Sequence, residues 1–338
     1  MKNTNKIVMV IMGTLIGAGF ASGREIYIFF AQYGFKGLIG IIISGILTSF
    51  IIYRILIIIK DKPIYKYDEL LKQTNKKYDK LNNVIKWIVN SFLLISFFIM
   101  VAAFSAYIKQ NYNVSTYISS AIFVLISYIV FEKSLQGMMK INSIIVPILL
   151  IFILLIGIKN FQYINQLEII EKENVSNYMF VFSSILYTSY NSIILIPVLV
   201  SMKTFVIDKK QIKNVSLICG ITIILLSVFI YLLLGENIQK VKELEIPLIE
   251  IVKKFGESYR YIYSFIIIAS IFTSAISAGY SFLKNVSPTE KSYKINLVII
   301  CIASIFVSKI GFTNLISNLY PAFGILGILQ ILLICFYI

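Results

Sequence analysis

The sequence predicts an all-α membrane protein of about ten transmembrane helices, arranged as five plus five. Three observations carry this. First, 58% of the 338 residues are hydrophobic, only 14% are charged, and mean hydropathy is +0.86. A soluble domain must cover its core with polar surface and does not reach that balance. Second, apolar stretches of membrane-crossing length recur along the chain with almost no charge inside them. Third, the formal net charge of +15 is carried largely by lysines in the gaps between those stretches. There they report topology, so no nucleic-acid partner is expected.

The spans run roughly over 6–34, 37–59, 83–108, 115–131, 141–158, 177–202, 215–235, 258–284, 293–308 and 312–335. The first opens after "MKNTNK" and continues past Phe30. No small-residue cleavage site bounds a short apolar region, so it reads as a retained helix and not a signal peptide. Two connections are longer than the rest. The segment 60–83 is strongly basic, and 235–258 mixes both signs. Within the second, "IPLIEIVKKFG" has helical apolar spacing, which predicts a short interfacial helix.

With the N-terminus inside, the inner segments hold 18 lysines and the short outer loops hold five, Lys36, Lys109, Lys159, Lys172 and Lys309. Both termini are therefore expected in the cytoplasm. Five is odd, so span 6 crosses in the opposite sense to span 1. The halves, about 6–158 and 177–335, would form an inverted repeat within one transmembrane domain covering 1–338, a frequent plan among secondary transporters.

Three spans turn polar near mid-depth. Span 1 carries "GTLIGAGFASGRE", span 6 "SSILYTSYNS", and span 8 "ASIFTSAISAGYS". Gly17 lies eleven residues past Lys6, or about 16 Å along a helix, roughly half the hydrocarbon layer. Asn191 and Thr273 lie at similar depths in their own spans, so the three clusters can meet at one level.

In span 1, Gly13-xxx-Gly17 and Gly19-xxx-Gly23 are close-packing spacings. Packing does not explain Arg24 and Glu25, because charges inside a span are costly and usually functional. The sharper reading is a broken helix whose second half begins near Ser22 or Gly23. Its free N–H groups would attract an anion such as a carboxylate. The expected solute-binding backbone is Gly17, Ala18, Gly19, Phe20, Ala21 and Ser22. Arg24 and Glu25 are open between gate pair, ligand and dipole partner. In span 6, Tyr187, Ser189 and Asn191 are the expected solute contacts. A second unwound segment there competes with simple back-bonding of hydroxyls to the helix. In span 8, Thr273 and Ser274 offer adjacent hard oxygens suited to Na⁺, against a plain role in helix–helix hydrogen bonding.

Histidine is absent, which removes His-based catalysis, metal ligation and pH switching. No carboxylate pair sits at mid-depth, so an enzyme is not expected. No filter motif or ring of like charge marks a channel. Cys219, Cys301 and Cys335 each lie in an apolar stretch without pair or metal spacing, and read as small core residues.

The stretch "GTLIGAGFASGREIYIFFAQYGFKGLIG" resembles the opening of the YkvI-type membrane proteins, a bacterial branch of the amino acid–polyamine–organocation transporters, which share the LeuT fold. The resemblance implies a bacterial cell membrane, unwound spans 1 and 6 at a shared site, and LeuT-like inverted repeats. It also implies an Na⁺ seat like that of sodium-coupled relatives. Gly13, Ile16 and Ser270 would lend carbonyls, and Thr273 and Ser274 hydroxyls. Some proton-coupled relatives instead carry a mid-span lysine in span 5. Here Lys140 stands only at its cytoplasmic start, which favours Na⁺. A second Na⁺ position would need an Asn where Phe20 stands.

The expected function is therefore secondary transport of a small organic solute, an amino acid or related zwitterion or amine. Na⁺ or H⁺ would drive it by alternating access around a mid-membrane site. No other cofactor is expected, and the sequence leaves the oligomeric state open. The competing expectation is a receptor or assembly protein that keeps the fold without transporting.

Overall fold

The computed structural model describes residues 2–74, 79–132, 136–160, 178–235 and 242–335. Among these all regular structure is helical. The N-terminal helices are α1 (Lys2–Leu15), α2 (Ala18–Ser22), α3 (Arg24–Phe29), α4 (Phe35–Asp61), α6 (Asp79–Tyr112), α7 (Thr116–Glu132) and α8 (Gln136–Asn160), with a short α5 (Tyr67–Thr74) in the basic connection. The second half has α9 (Met179–Ser201), α10 (Lys209–Gly235), α11 (Pro247–Lys253), α12 (Glu257–Val286), α13 (Glu290–Val307) and α14 (Phe312–Cys335). The linker between the proposed halves, 161–177, lies outside the described residues, as do Lys172 and the side chains of Lys140 and Cys335.

Seven of these helices are long and apolar enough to cross a membrane: α4, α6, α9, α10, α12, α13 and α14. The apolar segments Thr116–Phe131 and Pro147–Lys159 are shorter. The first segment fails as a single long helix because it is interrupted. Large apolar side chains such as Ile46, Leu125, Ile151, Phe265 and Phe306 face outward. Exposed apolar surface on this scale fits a lipid environment.

The centre is built on α9, which packs against α4 and α14. On α14, glycines let the two backbones touch. A methyl on Gly324 would stand 2.8 Å from the Leu186 carbonyl oxygen, and one on Gly327 would collide with the Ser189 carbonyl. The other large contacts are α12 with α6 and α10 with α4. Cys219 and Cys301 are free and buried, as small core residues.

Two expectations are corrected. Span 6 is not unwound: α9 runs unbroken from Met179 to Ser201. Its polar side chains close on their own helix. Thr188 Oγ1 donates to the Ser184 carbonyl at 3.0 Å, Asn191 Nδ2 to Tyr187 at 3.0 Å, and Ser192 Oγ to Ser189 at 2.6 Å. Side chains that satisfy themselves this way leave no reason for the backbone to open. Nor does the short helix expected in 235–258, which does form, turn its apolar face to lipid. Pro247, Leu248, Ile249, Ile251 and Val252 of α11 are all buried, and the helix packs on α12, α10 and α2.

Candidate functional site: the interrupted first segment

The first segment breaks twice. The α1 ladder ends with Ile16 N–H donating to the Met12 carbonyl at 2.9 Å. Gly17 then turns extended, at φ −95° and ψ −173°, and caps α2. After five residues α2 closes at Gly23, whose φ is +81° and whose N–H donates to Phe20 at 3.0 Å. That left-handed conformation costs an L-residue about 1–2 kcal/mol, so glycine suits the position. Ser22 finishes the joint. Its hydroxyl donates to the Gly19 carbonyl at 2.7 Å and accepts from Arg24 N–H at 3.1 Å. Every residue of α2 and α3 is buried.

Neighbours on a helix project about 100° apart, and Arg24 and Glu25 go separate ways. The Arg24 guanidinium donates to the carbonyls of Leu244 at 3.2 Å and Lys242 at 3.3 Å, and lies 5.1 Å from the Tyr27 ring centroid. Glu25 turns inward. Its Oε2 accepts from the Tyr190 hydroxyl at 2.5 Å, and its Oε1 covers Gly19, where a methyl would collide with it. Aromatic rings gather around this pair. Phe29 lies 5.4 Å from both Tyr187 and Tyr190, and Tyr320 stacks on Tyr190 at 4.6 Å. Among the described residues no Lys or Arg forms an ion pair with Glu25.

Above the break sits a lid, residues 242–253. Leu248 lies over Gly23, so that a methyl there would come within 2.8 Å of the leucine. The lid is tied to α6 by a two-way pair between Gln110 and the backbone of Ile246, at 3.2 and 3.1 Å. It is tied to α14 by Glu245, which accepts from Thr313 N–H at 2.6 Å.

Beside the first break is a cleft lined by Leu15, Ile16, Phe20, Thr48, Tyr187, Asn191 and Ile223. It has room for roughly one water molecule. Of the residues singled out in the sequence, Ile16, Phe20, Tyr187 and Asn191 meet here. Gly17 stands at its edge, where a methyl would come 3.9 Å from the Ser274 hydroxyl of α12. Ala18 and Ala21 are buried, and the Ala21 carbonyl accepts from the Tyr263 hydroxyl. Ser189 does not reach the cleft; it is pressed against Gly327 of α14. Gly13 falls in the last turn of α1, just past the final carbonyl that the α1 ladder claims. On α12, Ser270 and Thr273 are buried, and Thr273 Oγ1 donates to the carbonyls of Ala269 at 3.0 Å and Ser270 at 3.2 Å.

Sequence reasoning missed four participants: Thr48, Tyr263, Tyr320 and the lid. Thr48 stands between Ser44 and Ser49, and Tyr320 just after Ser317 and Asn318, short polar runs of a kind that plain helix packing also uses, a weak signal. Tyr190 lay inside the quoted cluster, but its partner is 165 positions away, a pairing no local pattern shows.

No family model matches the chain. The sequence is 28% identical over 336 residues to the membrane protein YkvI of Bacillus subtilis strain 168, covering 95% of this chain and 92% of YkvI. It is 25% identical over 334 residues to the protein YyaD of the same organism, covering 98% and 95%. Among solved structures it resembles the manganese transporter of Eremococcus coleocola, crystallised with an aromatic bis-isothiourea substituted compound. The TM-score is 0.59 at 12% identity, over 98% of this chain and 78% of the other. The chain is thus homologous to YkvI and YyaD along nearly its whole length, and it has the fold of a membrane transporter.

Proposed function

We propose that the protein is a secondary active transporter of a small organic solute, an amino acid or a related zwitterion or amine. Transport is coupled to Na⁺ or H⁺ by alternating access. The observation that carries this is the doubly broken first segment, its α2 and α3 buried throughout, lying under a lid and against α9 and α12. Irregular backbone at membrane depth is tolerated only where protein or a cavity satisfies it, and in transporters it marks the solute site. The ten-span, five-plus-five reading is supported by the seven long spans, the two shorter apolar segments and the interrupted first one, ten in all. Both termini are cytoplasmic in this scheme.

The solute would occupy an enlarged form of the cleft, between the 17–22 backbone and Phe20, Tyr187 and Asn191. An Na⁺ ion would sit between the carbonyls of Gly13, Ile16 and Ser270 and the hydroxyls of Thr273 and Ser274. The meeting of Ser274 with Gly17 and the end of the α1 ladder at Met12 support that seat. The manganese in the structural neighbour's name is not carried over. Among the described residues no group of three or more His, Cys, Asp or Glu is placed to hold a metal ion.

Uptake of radiolabelled amino acids and amines into proteoliposomes, with imposed Na⁺ and proton gradients, tests the proposal. Gradient-dependent accumulation of at least one solute is expected. Binding without flux would point to the receptor or assembly reading instead.

A further inference from the structure

We infer that Glu25 is a proton-carrying group, loaded and unloaded during the working cycle, so that one of the coupled ions is H⁺. A carboxylate buried in a span needs a compensating cation, because an isolated charge there is heavily penalised. Glu25 is 5% exposed. Its surroundings supply a hydroxyl and rings, not a cation. The titratable groups facing it are Tyr187 and Tyr190 of α9 and Tyr320 of α14. From α10, Tyr231 is occupied with the Gly34 carbonyl at 2.9 Å. On its own helix, Arg24 is directed to the lid carbonyls and the Tyr27 ring.

Space decides which cation fits. Oε1 lies against the Gly19 backbone and Oε2 on the Tyr190 hydroxyl, and the Tyr190 ring is itself flanked by Phe29 and Tyr320. A sodium ion needs several oxygens around it and an ammonium needs room for three donors; a proton needs neither. It adds to one carboxylate oxygen as an O–H and leaves Glu25 neutral. It departs to water once the segment is exposed on the other side of the membrane, which restores the carboxylate. Tyr190 steadies both forms, since a phenol hydroxyl donates to the carboxylate and accepts from the acid. The position also couples loading to movement. Glu25 is the second residue of α3, immediately past the Gly23 joint, so a change in its charge acts on the hinge that separates α2 from α3.

The inference rests on the transport reading for its flux arm only; a spectroscopic arm stands alone. Infrared difference spectra between acid and alkaline buffer would be recorded on the full chain in lipid, for the wild type and Glu25→Gln. The wild-type-minus-variant spectrum should contain a carboxylic C=O band on the acid side that vanishes on the alkaline side. Tyr190→Phe keeps the carboxyl, so its band should persist at higher frequency, with one hydrogen bond lost. This second variant decides the matter if Glu25→Gln fails to fold. A spectrum with no such band at any pH, or a band indifferent to pH, overturns the inference. In proteoliposomes with an entrapped pH dye, a mixture of the standard amino acids outside should acidify the lumen. Glu25→Gln should reduce that to the protein-free background. Solute flux without proton movement overturns the coupling. A wild type that moves no solute overturns the transport reading, and the infrared band still decides whether Glu25 carries a proton.

Discussion

The first segment and α9 pose the same question in sequence and answer it oppositely. Both are membrane-length and apolar, and both are interrupted by small polar-capable residues at mid-depth. The first segment opens at Gly17 and Gly23, whereas α9 stays helical through Tyr187, Thr188, Ser189, Tyr190, Asn191 and Ser192. The difference lies in what each residue does with its own backbone. In α9, Ser, Thr and Asn bond back about one turn, which satisfies their polar groups without a break in the helix. Glycine offers no such bond and alone adopts a positive φ cheaply. Polar density in a span is thus a poor sign of unwinding, and paired glycines flanked by charge are a better one.

The largest expected effect is at the second break. Gly23→Ala forces a methyl into a positive-φ position beneath Leu248 and should cost about 2 kcal/mol. Thermal unfolding of the purified protein would show it as a clearly lowered midpoint. Gly17→Ala, in the same segment but where a methyl meets only the Ser274 hydroxyl at 3.9 Å, should stay within about 0.5 kcal/mol. Equal effects of the two would erase the distinction between joint and edge.

Next comes the bond that ties the two regions together. Tyr190→Phe removes the hydroxyl from a buried carboxylate and should destabilise by about 1–3 kcal/mol, again read by thermal unfolding. A neutral result would mean that Glu25 finds another donor. A smaller change is expected from Asn191→Ala. It loses one bond to the Tyr187 carbonyl, worth about 1 kcal/mol or less, and leaves helix content by circular dichroism unchanged. A drop in helix content would show that α9 is held closed by that side chain.

The smallest is Thr273→Ala, expected within about 0.5 kcal/mol in Na⁺-free buffer. Its use lies in the ion. If the α12 hydroxyls seat Na⁺, replacing K⁺ with Na⁺ stabilises the wild type and not the variant. A Na⁺ effect that survives in Thr273→Ala removes the seat.

Much of this was legible in the sequence, for physical reasons. Each of the ten apolar stretches corresponds to helix in the structure, because hydrocarbon length and backbone satisfaction leave few choices. The interruption near Gly17 to Gly23 was legible because glycine and charge both oppose a plain span. What was not legible depends on distant partners. No local pattern shows that Tyr190 reaches Glu25 or that Ser189 is turned against Gly327. Nor does one show that the apolar stripe of 247–253 is buried over the break and not laid on lipid. Arg24 and Glu25 were adjacent letters with one open question between them; side-chain direction gives each its own neighbourhood.

The glycines of α14 have a mechanical consequence. At Gly324 and Gly327 the α9 carbonyls of Leu186 and Ser189 lie where only hydrogen fits. Rotating α9 by one residue, about 100°, would bring a side chain into that seam. The two helices therefore keep a fixed phase, reinforced by the Tyr190–Tyr320 stack, and travel as one body. Any motion that separates Glu25 from Tyr190 must then be carried by the jointed first segment and not by a turn of α9 alone.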